Sequence, residues 1–210
     1  MVGEHPLEVR GEGVGKRHGR QWILRNINLH IPSGGALAIL GSNGSGKSSL
    51  LRILCGFDGT SEGALFWQAG DATISRADLP GHIAYGAPDQ SLILDLTVTE
   101  HIEAHGRLRM PLADVGQDDI LRLAMLEDHP RSRVRDLSSG MRQRLALALA
   151  FTTSASAIFL DEPVSHLDRD GRQWYLRLLE EWRLGRTLVI ASNHNAEELP
   201  PQVTTLELGV

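Results

Sequence analysis

Apolar and polar positions change period along this chain, and each change predicts an element. Leu7 to Val9 and Asn26 to Ile31 alternate as half-buried strands do, with the polar, glycine-rich stretch Gly11 to Gln21 between them, so an antiparallel pair joined by a loop is expected. Ala36 to Leu40 is almost wholly apolar, as suits a strand covered on both faces. Ser48 to Leu54 has helical spacing and stops at Gly56, and Gly63 to Gln68 returns to strand-like composition. Helical spacing resumes over Thr97 to Met125, broken at Gly106, Pro111 and Gly116. Ser139 to Phe151 is a strong helix candidate with Ser139 as its N-cap, and Ala157 to Leu160 and Leu188 to Ala191 read as further buried strands. Trp174, Tyr175, Leu178, Leu179 and Trp182 recur at helical spacing, as a core-facing stripe does. Strand, helix, strand implies a parallel sheet. The expected fold class is therefore α/β, one unit over 1–210 with a helical insertion at roughly 91–145.

Composition narrows the classes. Of the 210 residues 41% are hydrophobic and 22% charged, which places the chain among globular proteins. A net charge of -5 gives no electrostatic reason to bind nucleic acid, and none is expected as a partner. The single Cys55 forms no intrachain disulfide and reads as a small buried residue. No apolar run reaches the ~18 residues of a membrane helix.

Three motifs carry chemistry. Gly41-Ser42-Asn43-Gly44-Ser45-Gly46-Lys47-Ser48 satisfies G-x-x-x-x-G-K-[ST] between a buried strand and a helix. Glycines let successive backbone N–H groups converge on phosphate oxygens, and the helix start adds its positive end. Lys47 is expected to bridge the β- and γ-phosphates of a nucleotide, and Ser48 to offer its hydroxyl to Mg²⁺, an ion that prefers oxygen ligands. Next, the strand Ala157 to Leu160 runs into Asp161-Glu162-Pro163. Where that strand ends, Asp161 is placed for the Mg²⁺ shell and Glu162 to turn toward an attacking water. Third, Leu137-Ser138-Ser139-Gly140-Met141 opens a helix whose first N–H groups face outward to an anion.

Together with Ser165-His166-Leu167-Asp168 and His194, these motifs follow in the order and spacing of the ABC transporter ATPases, and the chain resembles that family over essentially its whole length. The resemblance implies a P-loop NTPase core with a mostly parallel sheet, an N-terminal antiparallel β subdomain and an inserted helical subdomain. It also implies two nucleotide-binding domains, identical or different, that meet head to tail and enclose two ATP molecules, each bound by one phosphate loop and the partner's signature. On that basis Gly41 to Ser48 and Ser49 bind ATP, while Ser138, Ser139 and Gly140 reach the γ-phosphate across the dimer. Glu162 is the general base, His194 touches the γ-phosphate, Lys47 is catalytic as well as binding, and Asp168 couples the two sites. An integral membrane transporter subunit on another polypeptide would hold the chain, peripherally, at the cytoplasmic face of the membrane.

Several positions depart from the family pattern. The signature is LSSGM where LSGGQ is usual, so the thioether of Met141 replaces an amide. Counting back from Leu96-Thr97-Val98, the glutamine expected near the metal falls on Pro88; Gln90 and Asp89 are the nearby substitutes. KRHG at Lys16 to Gly19 places His18 where an aromatic ring usually stacks on adenine, with Trp22 as the alternative. The remaining seven histidines read as surface residues. Leu51 to Gly56 and Phe66 to Gln68 resemble the small ATPase of the haem exporter used in cytochrome c maturation, while LSSGM fits multidrug, lipid or polysaccharide exporters equally. Two other functions fit the motifs: a soluble ABC-type ATPase such as that of iron-sulfur cluster assembly, and a degenerate nucleotide-sensing partner.

Overall fold

The structure, a computed structural model, describes residues 5–88, 92–193 and 199–209. Two sheets organise it. The antiparallel one has the order β2-β1-β4-β5, built from β1 (Leu7–His18), β2 (Gln21–Ile31), β4 (Glu62–Ala69) and β5 (Ala72–Ile74). The other, order β6-β7-β8-β3-β9, is parallel throughout. Its strands are β3 (Ala36–Leu40), β6 (Ile83–Gly86), β7 (Ala157–Asp161), β8 (Thr187–Ser192) and β9 (Thr204–Glu207). Every residue of β3, β7 and β8 is buried, as expected of strands with both faces covered.

The stretch expected to be a loop, Gly11 to Gln21, is instead mostly strand. β1 and β2 form one long hairpin, His18 opposite Gln21, whose register shifts between Gly11, Val14 and Lys16 absorb the glycines. Those irregularities break the two-residue alternation, so the sequence pattern hides the strand.

Helix α1 (Lys47–Leu54) follows β3. Leu50, Leu51, Ile53 and Leu54 face the apolar layer between the two sheets, where Cys55 is also buried. On the opposite face of the parallel sheet pack α5 (Ser139–Thr152) and α6 (Arg169–Trp182), joined by the stripe Trp174, Tyr175, Leu178 and Leu179. The short α2 (Leu79–His82) precedes β6. A third apolar cluster joins α3 (Val98–Leu108), α4 (Gln117–Ala124) and Leu145, Ala148 and Leu149 of α5. From Leu145 to Phe151, α5 is apolar all round because Leu147, Ala150 and Phe151 face the sheet while Leu145, Ala148 and Leu149 face α3 and α4.

Two expectations are corrected here. Ser138, not Ser139, caps α5: its hydroxyl accepts the Met141 N–H at 3.2 Å, and Ser139 begins the helix. The surface assignment of the remaining histidines also fails for His101, which is buried, and for His105, whose ring is bonded to the Thr153 hydroxyl at 2.9 Å. Both lie on the face of α3 turned to its neighbours, and burial pushes the His105 ring down to about 4. Among the described residues no helix is long and apolar enough to cross a membrane.

Candidate functional site

The carboxyl ends of β3, β7 and β8 open on one side of the parallel sheet, where ligands of such sheets bind. From β3 the chain turns through Gly41 to Gly46 into α1. Gly46 holds φ +98°, and a Cβ there would stand 2.9 Å from Leu24 Cδ2, so a side chain would be strained twice over. A Cβ on Gly41 would meet Ser45 Oγ at 2.4 Å. The loop is thus built for close backbone packing, and the first N–H groups of the eight-residue α1 lack intrahelical acceptors.

Lys47, only 5% exposed, turns back over this loop. Its ammonium donates to the carbonyls of Gly41 and Ser42, each at 3.0 Å, and to Oδ1 of Asn193 at the end of β8. Glu162 Oε1 lies 3.6 Å away. Glu162 itself occupies a tight turn, with φ +45°, just past β7. Its carbonyl is held by the N–H and hydroxyl of Ser165 at 3.0 and 2.8 Å, and its own N–H donates to Ala191 at 2.9 Å. This turn carries the Glu162 carboxylate into an open cleft of about 540 Å³ lined by Asn43 to Ser49 in part, Glu162, His166 and Asn193.

Asp161 ends β7 buried, and its Oδ1 has no hydrogen-bond partner among the described residues. Burial raises its carboxyl above the ordinary carboxylate range, while the hydrogen-bonded Ser48 hydroxyl and the nearby Lys47 pull it back. An orphaned carboxylate oxygen beside a serine hydroxyl fits a hard divalent cation such as Mg²⁺, which compensates a buried acceptor that water does not reach. Glu162 is also raised by burial; Lys47 lowers it and Asp161 raises it. A carboxyl moved upward is a better base near neutral pH.

Phosphate loop, Lys47, Ser48, Asp161 and Glu162 therefore converge. Other expected residues stand apart. Ser138, Ser139 and Gly140 do not line the cleft; the two serines are exposed at the start of α5, and a Cβ on Gly140 would lie 3.1 Å from the His166 carbonyl. Asp168 caps α6, its Oδ1 accepting the Gly171 N–H at 2.8 Å. His18 is exposed at the hairpin end of β1 and is not in the lining. Trp22 is flanked by the guanidinium groups of Arg17 and Arg25, 5.1 and 5.3 Å from its ring, and Ile23 is the β2 residue that faces the cleft. Pro88 lines it as well. Asp89, Gln90 and His194 lie outside the described residues. Asn193 belongs to none of the motifs that the sequence presents. Its sole signal there is its place, one residue past a buried strand whose end faces the phosphate loop.

Comparison with known proteins agrees with this geometry. The family model described as "ABC transporter" matches residues 24–165. The human phospholipid-transporting ATPase ABCA7 is 35% identical over 90% of this chain, which covers 9% of that protein. The sulfate/thiosulfate import ATP-binding protein CysA 2 of Rhizobium meliloti (strain 1021) is 32% identical over 97% of the chain and 58% of the relative. The Nod factor export ATP-binding protein I of Rhizobium johnstonii is 29% identical over 97% of the chain and 68% of that protein. The chain thus spans about a tenth of the first two curated relatives it matches. Among solved structures, a dimeric ATP-binding cassette in a post-hydrolysis state, bound to ADP and Pi, superposes with a TM-score of 0.76 at 25% identity, over 95% of this chain and 96% of that one. By its sequence, its two-sheet P-loop fold and the convergence of its phosphate loop with the carboxylates ending β7, this chain belongs to the ABC transporter family.

Proposed function

We propose that this chain binds ATP with Mg²⁺ and hydrolyses it, as the ATP-binding subunit of a transporter whose membrane-spanning part lies outside these 210 residues. The observation that carries the reading is the floor of the cleft, where Lys47, buried against the phosphate loop, stands 3.6 Å from a carboxylate that burial makes more basic. Backbone N–H groups of Gly44 to Ser49 would bind the β- and γ-phosphates, and Lys47 would neutralise them. Asp161 and Ser48 would hold Mg²⁺, which would offset the negative charge of the phosphates. Glu162 would orient a water for in-line attack and accept its proton. With this mechanism catalysis is positioning and charge stabilisation, with no covalent intermediate on the protein.

The exposure of Ser139 away from its own cleft supports pairing with a second cassette, whose phosphate loop these residues would meet. The helical unit of α3, α4 and the start of α5 would then carry motion toward the membrane partner. Titration of the chain with ATP and Mg²⁺ in a calorimeter tests the binding step. Wild type binds, and Lys47→Ala weakens binding at least ~10-fold, as loss of a charged contact to phosphate requires. Equal binding by the two proteins contradicts the reading.

A further inference from the structure

Asn193 touches both groups that the proposed reaction depends on. Lysine has no acceptor, so the Asn193 atom facing Lys47 is the carboxamide oxygen. An ammonium has three N–H bonds, and the carbonyls of Gly41 and Ser42 with this oxygen account for all three. The backbone N–H of the same Asn193 donates to the Glu162 carboxylate. Asn193 also lines the cleft, at the end of β8, 146 positions from Lys47 in the chain.

These contacts have unequal futures when a phosphate arrives. Gly41 and Ser42 belong to the loop that encloses the phosphate, so their carbonyls stay beside Lys47. Of the three hydrogen-bond acceptors the Asn193 oxygen is the one from outside the loop, and a phosphate oxygen can replace it; the Glu162 carboxylate, 3.6 Å from the ammonium, is an ion-pair partner beyond hydrogen-bond distance. Building on the ATP reading above, we propose that Asn193 is a positioning residue that reports phosphate arrival: its carboxamide is exchanged for the γ-phosphate on Lys47, while its main chain keeps hold of Glu162. The segment bearing Asn193 is therefore pinned to Lys47 before the phosphate arrives and freed from it afterwards, with the base attached throughout.

The test uses the full chain and two variants, each checked for an unchanged melting temperature. Binding is measured with Mg²⁺ and a non-hydrolysable ATP analogue, and turnover with Mg²⁺ and ATP. Asn193→Ala removes the partner that the phosphate must displace and keeps the main-chain contact to Glu162, so the analogue binds about threefold to tenfold more tightly and KM falls in step. Asn193→Asp keeps the acceptor and adds charge, so its affinity for the analogue falls below that of wild type. Opposite shifts in the affinities of the two variants, with a lowered KM for the alanine variant, support the assignment. If both variants bind as wild type does, or if Asn193→Ala binds more weakly, the exchange is overturned. A wild type that fails to bind the analogue removes the ATP reading itself, and the inference falls with it.

Discussion

Glu162 combines two demands that oppose each other. Burial raises its carboxyl above the unfolded value, so folding favours the protonated form: the contribution to stability is full below the ordinary carboxylate pKa and is lost as pH rises through the folded one. At neutral pH the ionised side chain is a local liability of the fold. Glu162→Gln is therefore expected to melt a few degrees higher than wild type at pH 7, with the difference shrinking toward pH 4, in thermal scans followed by circular dichroism. A lower melting temperature at pH 7 would contradict this. His105 has the other sign. Its ring is pushed down to about 4, so its neutral form is favoured; that stability is complete above about 6.5 and is lost as pH falls from there toward 4. His105→Gln should lose up to about 3 kcal/mol less than wild type between these limits, read from denaturant unfolding at each pH.

At the scale of elements, the charge that joins the helices is Arg186, which is 4% exposed. Its guanidinium donates to Phe151 and Thr153 at the end of α5, at 2.8 and 2.9 Å, and to Trp182 and Arg183 at the end of α6. Two helix C-termini, each negative in character, thus share one cation. Arg186→Met keeps bulk and removes the donors, leaving buried carbonyls unpaired. A loss of about 3–5 kcal/mol, or roughly 10 °C in melting temperature, is expected. A shift under 2 °C, on the order of half a kcal/mol for a chain of this size, would show that water replaces the guanidinium.

Legibility in the sequence followed the same physics. Strands β3, β7 and β8 were readable because burial on both faces makes them apolar runs, and α1 because a phosphate loop stands before it. β1 was readable only at Leu7 to Val9, since its register shifts at glycines erase the alternation beyond. Neither β6, four residues long, nor β9, whose Thr204, Thr205 and Glu207 are exposed at the sheet edge, was readable. Gly41 to Ser48, Asp161 and Glu162 were visible as motifs because backbone approach and charge restrict which residues serve there. Asn193 was not, because its contact with Lys47 spans 146 positions that no local pattern encodes.

For the whole molecule, the proposed function makes the cleft and the exposed Ser139 on α5 two parts of a site that a second cassette would complete. If the partner is a second copy, Glu162→Gln with ATP and Mg²⁺ should double its mass from 23.0 kDa in light scattering, and ADP should not produce this. An unchanged mass with ATP bound would rule out self-pairing and leave a different cassette as partner. The central claim, that Glu162 beside Lys47 makes this cleft an ATP-hydrolysing site, is tested most directly by single-turnover hydrolysis of Mg²⁺-ATP. The rate for Glu162→Gln should fall by ~10² to 10⁴-fold below wild type while ATP remains bound. Equal rates in the two proteins, or no hydrolysis by wild type with its partner cassette present, would contradict it.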